Sequence, residues 1–499
     1  MSRGTRRDND FMKPVSAIIF EEDPLSNNIE LLTTLKANPC IEKVIKVSRD
    51  ALSVDTLSIV SDIPFGGRIV AEALETARPC PYVLIIPASS GVDISAEEIS
   101  RFLEIAKECD GGLYYADYYN GERSPSCIKA VIDYQYGSIR DDFFFGPVQF
   151  FSFKHIQESL EEYGQLVETK WAGLYELRLK VSLSGDVLRV PAPLSLVKKE
   201  HTGKISHFGY VDPEQLDYQK EIEQAATEHL MRIGAYCSHD LKSVPEDLDT
   251  YPVEASVIIP VRNRERTISD AIRSALSQKT DFSFNVLVVQ NYSTDRTGEE
   301  IEKIAKHDTR VIQIIPEQKD LGIGGCWNLA VNSPQCGRYV CQLDSDDIYE
   351  GGDALCTIVE TLREGKYGMV SGTYRVVNFN LEEIPPGVVD HREWSDGNGR
   401  NNLLRVHGIG APRAFPTVLL RQYPFPNVSY GEDYAVALRI SRDFRVGRIF
   451  KPLYLCRRWE ENTDADLTHL EANRLAFYKD KLRTEEILER QKINNASDS

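Results

Sequence analysis

The feature that most constrains this chain is an order of phrases that it runs through twice. In the second half, Ala255 to Pro260 (ASVIIP) is a short apolar run ending in proline, followed by a helical pattern over Thr267 to Gln278 and a second apolar run from Asn285 to Val289. Strand, helix, strand is the simplest reading of that alternation. A strand at Arg310 to Ile315, a Gly-rich turn, a helix from about Cys326 to Val331 and a strand at Tyr339 to Leu343 continue it. Strands alternating with helices imply a mainly parallel, doubly wound α/β sheet. The first half lays over this order, with strands at Val15 to Phe20 and Lys43 to Val47 around a helical Leu31 to Ala37. PFGGRIVAEAL (Pro64 to Leu74) stands where GIGGCWNLAV stands later, and PYVLIIPASSG (Pro81 to Gly91) where GRYVCQLDSDD stands. Gly146 to His155 mirrors Gly410 to Arg421, and Leu174 to Val197 resembles Tyr434 to Cys456. An internal duplication accounts for this.

A chain of 499 residues exceeds one ordinary core, which also favours two domains. The expected division is a disordered tail over 1–13, a first domain over 14–200, a linker over 201–252, a second domain over 253–491 and a disordered tail over 492–499. Within the linker, Pro213 to Ile233 carries a helical pattern, and His469 to Gln491 carries another that should pack on the second domain.

The net charge of −18, from 76 acids against 58 bases, would repel a polyanion, so no nucleic-acid partner is expected. No stretch approaches 18 consecutive apolar residues, and the start MSRGTRRDND lacks an apolar core, so neither a transmembrane segment nor a signal peptide is expected and the cytoplasm is the expected location. The ten cysteines form no CxxC pair and no cluster at zinc spacing, and read as reduced thiols.

The strongest local signal is Leu343-Asp344-Ser345-Asp346-Asp347, three carboxylates directly after an apolar strand. In parallel sheets, ligands bind at that carboxyl edge. Like charges so close repel one another, which costs stability unless a cation or a set of N–H donors compensates. A hard divalent ion, Mg or Mn, would compensate while holding phosphate oxygens; a polar turn capping the next helix is the other reading. Gly322, Gly324 and Gly325 permit close backbone approach to a diphosphate or sugar, and the following helix could point its N–H groups at that anion, although GxGG is a common turn.

The second half resembles the family 2 glycosyltransferases of the GT-A fold at five places, in the family's order. SVIIPVRNRERTISDAIRSALSQ is similar to that family's first strand and helix, and VLVVQNYSTDRT to its second strand and turn. GIGGCWNLAV is similar to its third loop, LDSDD to its metal-binding DXD motif, and GEDYAVALRI, from Gly431, to the ED motif that carries the catalytic base. The resemblance implies two tandem GT-A-like, Rossmann-like domains joined by a helical linker, the second one catalytic. It implies that Asp344 and Asp346, with Asp347 as a further candidate, approach a divalent metal bridging the diphosphate of a UDP- or GDP-sugar. A cation there would stabilise the charge gained by the leaving nucleoside diphosphate. Asp433 is then the general base of a single inverting displacement, an effect of roughly 10² to 10⁴ in rate, and Glu432 shares that role or holds the acceptor. Both acids would equally favour a helix N-terminus without any chemistry.

Pro260 and Glu265 match positions lining the nucleoside pocket, and Arg262 stands where the family often has an aromatic residue. After the second strand, where the family presents two acids, this chain has Gln290 and Asn291; an amide both donates and accepts, so the base is left open. Arg457 and Arg458 either add to the diphosphate clamp or form surface ion pairs. On the acceptor side lie His391, Trp394, His407 and Arg413, the indole suited to stacking on a sugar ring, with a structural role open for each.

At the positions matching the acids, the first half has Pro87, Ala88, Ser89 and Ser90, and it has Ala172, Gly173 and Leu174 where the ED motif would fall. It is expected to be a degenerate, transferase-like domain, serving as scaffold, sugar-chain platform or homo-oligomer surface. A glycan, a lipid-linked sugar or a small molecule is the expected acceptor. Two other functions stay open: a non-catalytic nucleotide-sugar or glycan-binding protein, and a sugar nucleotidyltransferase, which PVRNRER disfavours because those enzymes carry a Gly-rich loop after their first strand.

Overall fold

A computed structural model of the protein describes residues 13–21, 29–50, 57–87, 91–198, 216–247, 249–392, 394–460, 462 and 467–497. They fall into two compact units, one of residues up to 198 together with 217–232 and the other of Leu216 together with residues 233–497. The duplication read from the sequence reappears as topology, for each unit holds a nine-stranded sheet and the two strand orders are the same. In the second unit the order is Val311–Ile314, Phe284–Gln290, Ala255–Val261, Tyr339–Gln342, Arg413–Pro416, Met369–Val377, Val446–Arg457 and Ile348–Tyr349. In the first it is Leu57–Val60, Ile41–Ser48, Val15–Phe20, Tyr82–Pro87, Gln149–Ser152, Gly111–Asn120, Asp186–Val197 and Val92–Asp93.

In both, the first four strands are parallel and the fifth runs antiparallel to each neighbour. A parallel pair follows, closed by a short antiparallel strand. Even the strand outside this path recurs, Ile128–Lys129 on Gly111–Asn120 and Glu383–Val389 on Met369–Val377.

Local chemistry explains the elements. Ala255–Val261 is buried at every residue except the half-buried Pro260, as a continuous apolar run between two parallel neighbours should be. Helix Ile268–Leu276 buries Ile268, Ala271, Ile272 and Ala275, the spacing of one helical face. Helix Ala96–Glu108 starts at a reciprocal cap, in which the Glu98 N–H donates to Ser95 Oγ and the Ser95 N–H to Glu98 Oε2.

The helical pattern in 213–233 is realised as helix Leu216–Arg232 and packs within the first unit, where the N–H groups of Lys170 and Trp171 both donate to Glu221 Oε2 at 2.9 Å. The last helix, His469–Ser497, runs past Gln491, so the disorder expected from 492 is corrected there. Asn494 Nδ2 donates to the carbonyls of Gly234 at 2.8 Å and Tyr236 at 2.9 Å, which holds the final turns. Residues 1–12, 88–90 and 498–499, on which parts of the tail and acid-position readings fall, lie outside the described residues. Among the described residues no helix is long and apolar enough to cross a membrane.

Candidate active site

Asp344 and its neighbours follow the strand Tyr339–Gln342, and two other strands reach them. The Asp344 N–H donates to the Tyr454 hydroxyl at 2.9 Å, and its carboxylate accepts from Gln342 Nε2 at 2.9 and 3.1 Å. Burial pushes the Asp344 carboxyl up, against the Gln342 amide and Arg413, with the charges of Asp346 and Asp433 adding to the rise. Asp346 Oδ2 lies 3.2 Å from Asn462 Nδ2, 3.4 Å from Trp459 Nε1 and 3.5 Å from Arg264 Nε. Because Ile348 pairs with Leu455, Asp347 sits beside the end of Val446–Arg457 and accepts the Arg457 N–H at 2.8 Å. Burial, then Asp346 and Asp344, push Asp347 well above the carboxylate range.

Helix Glu432–Asp443 starts at Gly431, whose φ of 79° is the left-handed conformation that glycine adopts without strain. Asp433 Oδ2 lies 2.8 Å from Arg413 Nη1, and Oδ1 accepts the Tyr434 N–H at 2.7 Å. Burial would raise Asp433, but the charges of Arg413 and Lys479 outweigh it and hold the carboxyl below its usual range. Its neighbour goes the other way. Burial, reinforced by the Asp433 charge, pushes Glu432 up to about 8, and its Oε2 is buried with no hydrogen-bond partner. At neutral pH the pair therefore divides into one charged and one protonated carboxyl.

Arg413 joins the two acid groups. It stands on the antiparallel strand Arg413–Pro416, beside the strand that ends at Gln342, and its N–H donates to Gln342 Oε1 at 3.2 Å. Since Gln342 Nε2 in turn donates to Asp344, a continuous contact chain runs Asp344, Gln342, Arg413, Asp433. The sequence reading missed Gln342, Tyr454, Arg264 and Lys479. Lys479 Nζ donates to the His407 carbonyl at 2.8 Å, and burial lowers the ammonium to about 8 against the pull of Asp433.

The remaining residues divide. Pro260 is half-buried at its strand end, and Arg262 is exposed while Arg264 is the arginine that reaches Asp346. Glu265 Oε2 accepts the Arg296 N–H at 3.0 Å and Nε at 3.2 Å, which hold the carboxyl low. Asn291 Nδ2 donates to the Leu321 carbonyl at 2.8 Å, tying the second loop to the third. Arg457 is buried, with Nη1 3.2 Å from Asp270 and Nε donating to the Asp346 carbonyl, while Nη2 has no hydrogen-bond partner. The Arg458 N–H donates to the Val377 carbonyl at 2.8 Å. Trp394 packs on the turn at Gly399, where a Cβ would lie 2.4 Å from the indole, and buried His391 accepts the Gly410 N–H at 2.9 Å through Nε2. These two serve the loop itself. Among the acceptor-side candidates Arg413 reaches Asp433 directly, and the His407 carbonyl accepts Lys479 Nζ.

The third-loop glycines, where the sequence leads one to expect an anion cradle, bond and pack within the protein. The Gly322 N–H donates to Asn427 Oδ1 at 2.8 Å and the Gly324 N–H to the Val428 carbonyl at 2.9 Å, so these donors already have partners. A Cβ on Gly324 would lie 2.0 Å from the Pro426 carbonyl oxygen, and one on Gly325 2.3 Å from Asn427 Oδ1. The glycines let helix Ile323–Val331 seat against 425–428, just ahead of the Gly431 turn. The first unit keeps the same packing without the acids: the Gly67 N–H donates to the Thr169 carbonyl at 3.2 Å, and a Cβ on Gly67 would lie 1.9 Å from the Val167 oxygen.

The donor set fits a hard cation. Asp344 and Asp346 offer carboxylate oxygens beside further acids whose burial and mutual repulsion a positive charge would relieve, and Mg or Mn needs only one or two protein carboxylates when phosphate completes its shell. Among the described residues, the group of three such side chains whose ligand atoms all lie within 4.8 Å of one another is a different one, Asp281, Cys356 and Glu360. There the Cys356 thiol donates to Glu360 Oε1 at 3.3 Å, and burial and that carboxylate push its pKa up.

Residues 256–425 match the family described as glycosyl transferase family 2. Over 205 residues the chain is 28% identical to an uncharacterized glycosyltransferase of Rickettsia felis, covering 41% of this chain and 33% of that protein, so it spans about a third of that relative. Over 206 residues it is 29% identical to the UDP-Glc:alpha-D-GlcNAc-diphosphoundecaprenol beta-1,3-glucosyltransferase WfgD of Escherichia coli, covering 40% of this chain and 74% of that protein. Among solved structures, S. aureus TarS in complex with UDP-GlcNAc aligns at a TM-score of 0.37 and 21% identity, over 48% of this chain and 72% of that one. Residues 256–425 of the second compact unit, with Asp344, Asp346 and Asp347 among them, are thus the part of this chain that resembles glycosyl transferase family 2.

Proposed function

We propose that the second unit moves a sugar from a nucleotide-diphosphate sugar to an acceptor hydroxyl, with inversion and with a divalent metal, Mn or Mg. The observation that carries this reading is the contact chain from Asp344 through Gln342 and Arg413 to Asp433. It puts carboxylates suited to a cation and a carboxylate suited to a proton at the two ends of one hydrogen-bonded unit.

In this reading Asp344 and Asp346 hold the metal, and Arg457 Nη2, which has no hydrogen-bond partner within the protein, donates to a phosphate oxygen. The bound cation would supply charge stabilisation for the departing nucleoside diphosphate. Asp433, held ionised by Arg413, takes the proton of the acceptor hydroxyl as its oxygen attacks the anomeric carbon. Glu432 keeps its proton, and its unpartnered Oε2 holds the acceptor. Glu265, Asn291 and the glycines shape the donor loops from behind. The name of WfgD supports a UDP-sugar donor and a lipid-linked sugar acceptor, with a GDP-sugar, a glycan or a small molecule as the other candidates. The first unit, with Ala172, Gly173 and Leu174 in place of the ED motif, acts as a non-catalytic companion, and both units work in the cytoplasm.

Calorimetry with a panel of UDP-, GDP- and dTDP-sugars, with and without Mn, on the intact protein and on Asp344→Ala, tests this. One sugar nucleotide should bind only with metal and fail to bind the variant. No binding to the intact protein under either condition would overturn the proposal.

A further inference from the structure

The C-terminal helix lies outside every motif that carries the family resemblance, yet it packs on the turn that presents Asp433. A Cβ on Gly431 would lie 3.4 Å from Tyr478 Cε1, so the helix touches the start of that turn. The next residue, Lys479, places Nζ 4.6 Å from the Tyr430 ring centroid and 5.6 Å from that of Tyr434, and donates to the His407 carbonyl at 2.8 Å. One turn on, Arg483 lies 5.0 Å from the Tyr434 ring centroid, donates to the Val406 carbonyl at 3.0 Å and pairs with fully buried Asp480 at 2.7 Å. Two segments meet on this helix face. One is Tyr430–Tyr434, which carries Asp433. The other is the 403–409 loop, where Leu403 accepts the Tyr434 hydroxyl at 2.7 Å and Ile409 accepts Arg413 Nη1 at 2.6 Å. Arg413 is itself the ion-pair partner of Asp433. A partly buried ammonium is costly unless its surroundings compensate, and here a carbonyl, two aromatic faces and the nearby Asp433 charge offset part of that cost, burial still lowering the group to about 8.

We propose that Lys479 is a positioning residue for the transfer: by locking the Asp433 turn to the loop that holds Arg413, it fixes the direction in which the Asp433 carboxylate meets an acceptor hydroxyl. This rests on Asp433 being the base.

The test compares full-length Lys479→Met, Lys479→Arg and Asp433→Asn, with the sugar nucleotide that the calorimetric panel selects, by release of nucleoside diphosphate. Lys479→Gln is read beside them as a second uncharged variant, shorter than lysine but polar, in case methionine disturbs the packing. Lys479→Met and Lys479→Gln should lower kcat roughly ten- to hundredfold. Donor Kd should stay within about twofold of wild type, and Lys479→Arg should recover most of kcat. The inference is overturned if the uncharged variants keep kcat, if donor Kd weakens in step with it, or if Lys479→Arg is as slow as Lys479→Met at equal thermal stability. A full rate in Asp433→Asn removes the base and this inference together. Loss of turnover in Asp433→Asn with none in the uncharged Lys479 variants removes this inference alone.

Discussion

Arg413 Nη1 lies 2.8 Å from Asp433 Oδ2 and, at 2.6 Å, donates to the Ile409 carbonyl. One guanidinium thus holds the carboxylate while being held by the loop in front of it. This is why Asp433 stays ionised although burial works against its charge.

The pair sets a pH dependence. A base acts only when unprotonated, so kcat/KM rises with pH through the pKa of Asp433, and a carboxyl held low keeps the plateau down into mildly acidic pH. Removing the cation raises that pKa. Arg413→Met should therefore move the acid limb of the kcat/KM profile to higher pH and lower the plateau at least tenfold, because the carboxylate also loses its orientation. An unshifted limb would show that Arg413 does not govern the ionisation of Asp433.

Much of the site was legible because its acids sit in short local phrases. LDSDD and GEDY are each contiguous, and the apolar runs that aim them have clear strand or helix spacing. The remainder depends on contacts between distant residues. Arg413 reads as an acceptor-side residue until strand Arg413–Pro416 inserts beside Tyr339–Gln342, an antiparallel pairing that no local period announces. Lys479 lies 46 positions after Asp433 by their numbers, on a helix that sequence suggested only as packing. Asn291, matched to the family's second loop, and the third-loop glycines also bond or pack against residues far along the chain, contacts that no local pattern announces. Within the arginine-rich first loop, composition could not tell Arg262 from Arg264, since the choice rests on a turn in which Asn263 has a φ of 54°. Fold was more legible than site, because the doubled order of strands and helices uses periodicity alone.

Glu432 should cost stability as pH rises. Its pKa is about 8 in the folded chain against an ordinary 4.5, so between these values the unfolded state has lost a proton that the native state retains. Stability from this group is complete below about pH 4.5, falls as pH rises and levels off once the native carboxyl ionises above about 8. Glu432→Gln, which resembles the protonated acid, should match wild type in thermal melts near pH 4.5. By pH 8 it should be the more stable by about 1–3 kcal/mol, the usual cost of burying such a group. A constant difference across this range would mean that Glu432 is not held protonated.

The DXD acids should show opposite effects without and with metal. Without it, Asp344→Asn removes a charge that burial, Asp346 and Asp433 all disfavour, so the variant should melt no lower than wild type. Mn at a hundred times its Kd should stabilise the wild-type unit by about 2.7 kcal/mol and leave the variant nearly unchanged. Equal stabilisation of both proteins would place the cation elsewhere, and the group of Asp281, Cys356 and Glu360 would then be the one to substitute.

The third-loop glycines separate a packing role from a ligand role through their counterparts in the first unit. A Cβ at Gly324 would lie 2.0 Å from the Pro426 oxygen and one at Gly67 1.9 Å from the Val167 oxygen, so neither alanine fits without a backbone shift. Overpacking of this kind typically costs about 1–3 kcal/mol, and Gly324→Ala and Gly67→Ala should each lower the melting temperature of their own unit by a comparable amount. Their effects on chemistry should differ. The Gly324 Cβ would also lie 3.1 Å from Glu432 Cβ, so Gly324→Ala pushes on the ED turn and should reduce kcat more than donor affinity, whereas Gly67→Ala should leave both unchanged. If Gly324→Ala kept its melting temperature and lost donor affinity alone, the loop would be a cradle for the diphosphate after all, and the hydrogen bonds that Gly322 and Gly324 make to Asn427 and Val428 would have to open when donor binds.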